Sequence, residues 1–268
     1  MRIAELYASL QGEGVLTGTP SVFVRATGCN LRCWFCDTPF TSWQPEGEDW
    51  SVEEIVGEVR KVAEEGKLPA PVGCISAAQC SNSVESAAMV HFAPLMHPTT
   101  DSHIRHVVIT GGEPMLFAEL IPLCQRLRAD GLHITIETAG TLFLPVACDL
   151  MSISPKLASS TPREEVAGKW AARHERTRRQ PQVIERLTGE YEHQLKFVID
   201  LPADCAEVEI WLTEFPRVDR DRVLLMPQGT DPRELAQTGA WLETYCAERG
   251  FRFCPRKHIE WYGARRGT

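Results

Sequence analysis

Cys29, Cys33 and Cys36 sit in one short segment, Cys29-Asn30-Leu31-Arg32-Cys33-Trp34-Phe35-Cys36, spaced C-x3-C-x2-C. Thiolates this close can wrap a metal centre from a single loop, but they supply only three ligands. A structural zinc ion takes four, usually from two separated pairs, and no second pair follows at the usual spacing. A four-iron cluster has four irons to ligate, so three cysteines leave one iron open to another ligand. The competing reading is a zinc or ordinary iron–sulfur site completed by a distant Cys or His. The remaining cysteines, Cys74, Cys80, Cys124, Cys148, Cys205, Cys246 and Cys254, are scattered. Ten in 268 residues are too few for a disulfide scaffold. In a reducing compartment the cluster of three reads as metal or cofactor ligation.

A second constellation is Thr110-Gly111-Gly112-Glu113-Pro114. Two glycines let backbone approach a ligand, and the carboxylate can accept hydrogen bonds from an ammonium group. By itself the tetrapeptide is also an ordinary strand-to-helix turn. Arg25 lies inside an apolar run, where a charge is costly unless paired. Gln11 and Glu13, in Leu10-Gln11-Gly12-Glu13-Gly14, offer donors and acceptors, with a plain loop as the competitor. Thr38, in Asp37-Thr38-Pro39, is either an oxygen ligand or part of a turn. Lys196 in a buried strand needs a partner, such as a carboxylate. His91, His97, His103 and His106, with Cys74 and Cys80, are spaced too widely for a second zinc site and read as surface groups.

The elements that must position these groups alternate. Strand-like runs occur at Ser21–Thr27, His106–Thr110, Leu132–Glu137, Leu150–Ser154, Gln194–Ile199 and Arg222–Met226, with a weaker one at Phe251–Cys254. Their apolar density suits strands covered on both faces, as in a parallel sheet. Between them lie helices. Ser51-Val52-Glu53-Glu54 is a capping box, Leu116–Asp130 carries an apolar stripe ending at Gly131, and Thr161-Pro162 and Asp231-Pro232 each read as an N-cap with Pro at the first helical position. Strand–helix alternation over this length predicts a right-handed βα coil, open or closed into a barrel. Gly66–His103 breaks the rhythm as an insertion, and Arg163–Arg179 reads as a solvated, charge-dense helix face.

Composition excludes several classes. With 43% hydrophobic and 24% charged residues the chain is globular, and its net charge of −8 argues against gripping nucleic acid or an anionic membrane. The N-terminus has no signal-like apolar run, and no stretch is long enough to span a bilayer, so a cytoplasmic location is expected.

The pairing of C-x3-C-x2-C with Gly-Gly-Glu-Pro one strand later resembles the radical S-adenosylmethionine superfamily. That likeness implies an α/β fold built as a partial (β/α)6 barrel, in agreement with the six stronger strand runs. It also implies one 4Fe-4S cluster on Cys29, Cys33 and Cys36, whose open iron is chelated by the amino acid end of S-adenosylmethionine. One-electron reduction then yields a 5′-deoxyadenosyl radical. Leu10–Gly14, Arg25, Cys36-Asp37-Thr38, Ser154-Pro155-Lys156, Leu195–Val198, Met226–Gly229 and Cys254–His258 narrow the resemblance to the 7-carboxy-7-deazaguanine synthase family. This implies ring contraction of 6-carboxy-5,6,7,8-tetrahydropterin with loss of ammonia, in queuosine and deazapurine biosynthesis, with Mg²⁺.

By the same likeness, S-adenosylmethionine would be held by Gly112, Glu113, Ser154, Pro155, Lys156, Met226, Pro227, Gln228 and Gly229. The substrate would be held by Leu10, Gln11, Gly12, Glu13, Arg25 and Thr110, and Mg²⁺ by Thr38. No catalytic side chain is implied beyond the cluster and cofactor. A single domain over 1–268 with an insertion at about 66–103 is expected, as are a flavodoxin- or ferredoxin-like electron donor and a homodimer. Alternatives that share the cysteine motif are a glycyl-radical activating enzyme and a non-catalytic zinc or iron–sulfur module. The chain departs from compact family members in running on through Trp261–Thr268, which leaves open whether Thr268 folds back or Arg265 substitutes.

Overall fold

The computed structural model describes residues 1–70 and 103–268. The expected insertion at 66–103, with Cys74, Cys80, His91 and His97, lies outside them apart from residues 66–70 and 103. Strands β1 (Arg2–Leu10), β2 (Pro20–Ala26), β3 (Glu48–Asp49), β4 (His106–Gly111), β5 (His133–Thr138), β6 (Leu150–Ile153), β7 (His193–Ile199), β8 (Val223–Pro227) and β9 (Arg252–Phe253) form one nine-stranded sheet. Its order is β3-β1-β2-β4-β5-β6-β7-β8-β9. Every pairing from β2 to β9 is parallel, as the buried β-branched runs predict, and β1 and β3 extend one edge antiparallel.

The sheet curls. The loop after β1 reaches the far strands, where the Val15 amide donates to Gln194 Oε1 at 2.9 Å and the Lys257 amide donates to the Gly12 carbonyl at 3.0 Å. Opposite ends of the strand order thus face each other across a mouth, the arrangement of a partial barrel.

Strand alternation decides what each face does. Val22, Val24, Val107, Ile109, Ile134, Ile136, Met151, Ile153, Leu195, Phe197, Val223 and Leu225 point outward into the main core and are fully buried there. Helices α1 (Pro39–Ser42), α2 (Val52–Glu65), α3 (Leu120–Ala129), α4 (Glu164–Ala167), α5 (Lys169–Thr177), α6 (Pro181–Glu190), α7 (Pro202–Thr213), α8 (Pro232–Arg249) and α9 (Lys257–Tyr262) follow the strands. Ile55, Val59, Leu120, Leu123, Leu127, Leu187, Val208 and Leu242 bring the helices into that core. The in-between strand residues, Phe23, Arg25, Thr110, Glu137, Ser152, Lys196, Val198 and Met226, line the interior at the mouth. The inner face is therefore largely polar at this end, where the sequence suggested apolar cover on both sides.

Several caps match expectation. Ser51 and Glu54 form the capping box of α2. Asp231 caps α8 through the amides of Arg233 and Glu234, and Gly250 ends that helix at φ 73°. Two helix starts need correction. A short 3₁₀ turn occupies Pro114–Leu116 and α3 begins only at Leu120, because the Glu113 side chain caps the turn and Phe117 is extended. Thr161 caps no helix, since its hydroxyl donates to Glu175 Oε2 at 2.7 Å while α4 starts at Glu164. β1 carries no apolar alternation strong enough to read: Glu5 and Tyr7 sit in mid-strand and turn toward Arg25. His106 is no surface group on the insertion; it opens β4 and packs against His133, ring centroids 4.7 Å apart and tilted by 36°. Among the described residues no helix is long and apolar enough to cross a membrane.

Two predictions follow from this packing. A Cβ on Gly111, which sits at φ +124°, would lie 2.1 Å from the Ala26 carbonyl oxygen. Gly111→Ala should cost about 3 kcal/mol or more in a urea titration, and an unchanged midpoint would contradict the close approach of β2 and β4. Burial, aided by His133, pulls His106 from its ordinary 6.5 to about 4. The unfolded chain therefore takes up the proton first as pH falls, so stability should be full above about pH 6.5 and decline toward pH 4. His106→Phe should make that decline shallower, and parallel pH profiles for the two proteins would remove His106 from it.

Candidate active site

A cavity of about 270 Å³ opens at the C-terminal ends of the parallel strands, the end where loops of such barrels converge. Cys29, Cys33 and Cys36 all line it. Their loop leaves β2 and is held from several sides. Asn30 Nδ2 donates to Thr141 Oγ1 at 2.9 Å, Trp43 Nε1 donates to the Cys33 carbonyl at 3.0 Å, and Leu31 is buried against Ala139. The Leu31 amide lies 3.4 Å from Cys29 Sγ, and Ser42 Oγ lies 3.3 Å from Cys36 Sγ. All three thiols are free. Burial pushes Cys29 up to about 12 and Cys33 up to about 11. Each is a protonated thiol at neutral pH unless a metal displaces the proton.

The glycine pair sits beside this loop. The Gly112 amide donates to the Ala26 carbonyl at 3.0 Å, and the Glu113 amide to the Gly28 carbonyl at 2.8 Å. A Cβ on Gly112 would fall 2.1 Å from the Gly28 oxygen, so only glycine permits this contact. Glu113 itself turns away from the cavity. Its carboxylate is fully buried and accepts from Thr138 Oγ1 at 2.9 Å, the Ala139 amide at 2.9 Å and the Met115 amide at 3.1 Å. Burial raises its pKa, opposed by those amides. The carboxylate capping the Pro114–Leu116 turn is thus occupied by protein donors, and the expected ammonium contact finds only backbone and Gly112 at the cavity wall.

Charged groups across the mouth are paired. Arg25 Nε donates to Glu5 Oε1 at 2.6 Å and its Nη2 to the Tyr7 hydroxyl at 2.6 Å. Burial would lower the Arg25 pKa, but Tyr7 and Glu5 together raise it. Glu137 Oε2 accepts from Thr110 Oγ1 at 2.7 Å, and its Oε1 accepts from Gln11 Nε2 at 3.3 Å. Glu13 is bound by Lys196 Nζ and, at 3.2 Å, by Arg256 Nε. Arg256 also binds Asp37 and donates to the Gly229 carbonyl at 2.5 Å. Burial alone would raise the Glu13 carboxyl; Lys196, Arg256 and His258 outweigh it and hold the group well below the usual carboxylate range. Burial would likewise lower Lys196, and Glu13 with Glu137 reverses the sign. The carboxylate partner expected for Lys196 is therefore found.

Leu10, Gln11, Gly12, Glu13, Arg25, Thr38, Thr110, Gly112, Ser154, Lys156, Met226 and Gln228 all line the cavity. Pro155, Pro227 and Gly229 are buried and do not, being the alternate residues of their segments. Lys156 Nζ donates to Ser154 Oγ at 2.6 Å, and Thr38 Oγ1 lies 3.2 Å from Thr41 Oγ1. Tyr7 and Glu137 also line the mouth and were not singled out from sequence, and Asp37, Arg256 and His258, which stand in motifs read from sequence without an assigned contact, line it too. For Glu137 the signal was present: it is the inward alternate of β5, two residues after Thr135. Thr268 does fold back to the cavity, whereas Arg265 donates to the Tyr262 carbonyl. Between them Arg266 binds Glu5 at 3.0 Å and Glu46 at 2.7 Å, with its guanidinium 3.9 Å from the Phe40 ring centroid.

No protein-family model matches the chain. A curated 7-carboxy-7-deazaguanine synthase of Halobacterium salinarum is 40% identical over 266 residues, covering 96% of this chain and 88% of that protein. A second, of Rhodopirellula baltica, is 38% identical over 267 residues, covering 99% and 88%. The crystal structure of QueE from Escherichia coli superposes with a TM-score of 0.56 at 24% identity, covering 96% of this chain and 94% of that one. It supports the fold. With identities of this size along nearly its whole length, the chain belongs to the 7-carboxy-7-deazaguanine synthase family of radical S-adenosylmethionine lyases.

Proposed function

We propose that this protein is a 7-carboxy-7-deazaguanine synthase that contracts 6-carboxy-5,6,7,8-tetrahydropterin to 7-carboxy-7-deazaguanine with loss of ammonia. The observation that carries the reading is one cavity in which three free thiols adjoin a wall of paired hydrogen-bonding groups suited to a polar heterocycle. Family membership implies a 4Fe-4S cluster and S-adenosylmethionine, and the donor set fits them. The thiols share a loop that faces the cavity, while the glycine contact at Gly28 and Gly112 leaves bare backbone beside it. Nothing favours a glycyl-radical activating enzyme or a non-catalytic module.

In this proposal Cys29, Cys33 and Cys36 hold the cluster. Gly112, Ser154, Lys156, Met226 and Gln228 hold S-adenosylmethionine, with Glu113, Pro155, Pro227 and Gly229 supporting the wall from behind. When bound, the pair supplies one-electron chemistry that abstracts a hydrogen atom from substrate. The chain's own residues bind and orient. Arg25, balanced by Glu5 and Tyr7, offers a directional donor to the substrate carboxylate at small desolvation cost. Gln11, Thr110 and Glu137 form a hydrogen-bonded edge that can pair with the pterin's amino and amide groups. Leu10, Gly12 and Glu13 line the same side, with the Glu13 charge neutralised by Lys196 and Arg256. Thr38, which lines the cavity, would offer Mg²⁺ a hydroxyl oxygen. A single domain, a flavodoxin- or ferredoxin-like donor, a homodimer and a cytoplasmic location complete the proposal.

Anaerobically reconstituted protein with reductant, Mg²⁺, S-adenosylmethionine and the carboxytetrahydropterin should release 7-carboxy-7-deazaguanine; an intact cluster with no product would reject the reading. Cys29→Ala, Cys33→Ala and Cys36→Ala should each abolish cleavage of S-adenosylmethionine. Arg25→Ala should spare that cleavage yet raise the KM for the pterin roughly 10- to 100-fold, and an unchanged KM would take Arg25 out of the site. Lys196→Met leaves Glu13 buried and half-paired, so it should cost about 3 kcal/mol in denaturant, with much of the loss restored in Lys196→Met/Glu13→Gln.

A further inference from the structure

The charge-dense stretch that reads as a solvated helix face does more than face solvent. Arg173, Arg176 and Arg179 are exposed as expected, but His174 is fully buried beside the cysteine loop. The Arg32 amide, immediately before Cys33, donates to His174 Nδ1 at 3.0 Å. An accepting Nδ1 places the ring proton on Nε2, which lies 2.9 Å from Ser160 Oγ. The Ser160 hydroxyl is spent on the Leu157 carbonyl at 2.6 Å, so it accepts from the ring. Two further bonds come from the same segment: the Trp34 amide donates to the Ser160 carbonyl at 3.2 Å and Trp34 Nε1 to the Ser159 carbonyl at 2.7 Å. The Arg32 guanidinium carbon then lies over the ring of Trp170 in α5, 4.0 Å from its centroid. That guanidinium in turn donates to the Cys29 and Leu31 carbonyls at 2.8 and 2.7 Å.

A loop that carries three ligands has to present its sulfurs and keep its peptide groups satisfied elsewhere. The amides of Arg32 and Trp34, which flank Cys33, are both taken by this one segment. Within the loop, Cys36 to Cys33 at 3.4 Å is the backbone pair that closes on itself. We infer that residues 158–178 form a clasp on the cysteine loop, with His174 as its positioning residue, so that helix α5 sets how the three thiols are presented to the cluster. The inference rests on the cluster reading of Cys29, Cys33 and Cys36. It concerns the outer, supporting layer that fixes ligand orientation and tunes a metal centre.

The test separates the two claims. Amide exchange by mass spectrometry on the cluster-free full-length protein reads the clasp without any cofactor. His174→Leu should speed exchange at Arg32 to Trp34 roughly tenfold, and His174→Asn, whose Oδ1 can stand where Nδ1 stood, should stay within about threefold of wild type. Equal protection in all three proteins would overturn the clasp. If His174→Leu does not fold, Ser160→Ala frees the ring's other nitrogen and should raise exchange at the same amides, and no rise would overturn the proposal equally. After reconstitution to equal iron content, His174→Leu should change the reduced-state paramagnetic resonance spectrum or the midpoint potential, and His174→Asn should restore it. A lowered melting temperature with an unaltered spectrum would leave His174 a packing residue only, against the proposal. Failure of the wild type itself to hold a cluster would count against the proposed function while the exchange result still decided the clasp.

Discussion

A parallel sheet curls through the twist of its strands, and here a largely buried carboxylate ties the far strands together. Glu13, on the loop after β1, binds Lys196 of β7 and Arg256 beyond β9, and Arg256 reaches on to Asp37 beside the cysteine loop. Elements from both ends of the strand order thus meet on one anion. Each charge is costly to bury alone, and their mutual geometry makes the burial tolerable. The glycines of the Leu10–Gly14 turn belong to the same constraint. A Cβ added at Gly12 would lie 2.5 Å from the His258 Cβ, and one added at Gly14 would run into the Gln194 amide in the same way.

The pairing of charges gives the mouth its character. Arg25, Lys196 and Arg256 all face the cavity, yet each is matched by Glu5, Glu13, Glu137 or Asp37. A site so balanced holds many directional donors and acceptors with little net field. That suits recognition of a hydrogen-bond-rich ring bearing a single carboxylate more than the capture of a highly charged anion. The acidic balance of the whole chain adds to the same bias.

Much of this was legible in the linear chain, and for identifiable reasons. The parallel strands announced themselves through β-branched runs, and the cysteine and glycine motifs stand at the ends of the first two, where the cavity opens. What stayed hidden was of two kinds. β1 mixes Glu5, Tyr7 and Ser9 with its apolar residues because its inward side feeds the polar mouth, so no clean period survives. Long-range partners such as Arg256 with Asp37, or Arg32 with His174, join residues over a hundred positions apart, and spacing along the chain holds no trace of them. Glu113 shows the complementary limit: a carboxylate in a ligand-like motif can be consumed by the turn it caps.

Glu5 has one carboxylate and two guanidinium partners, Arg25 inside the mouth and Arg266 on the terminal segment that carries Thr268 to the cavity rim. Its two oxygens serve as a shared counterion. An anion that drew Arg25 toward itself would free Glu5 for Arg266, whose guanidinium lies over the Phe40 ring. By reciprocity, a terminal segment held on Glu5 through Arg266 would weaken the competing hold of Glu5 on Arg25.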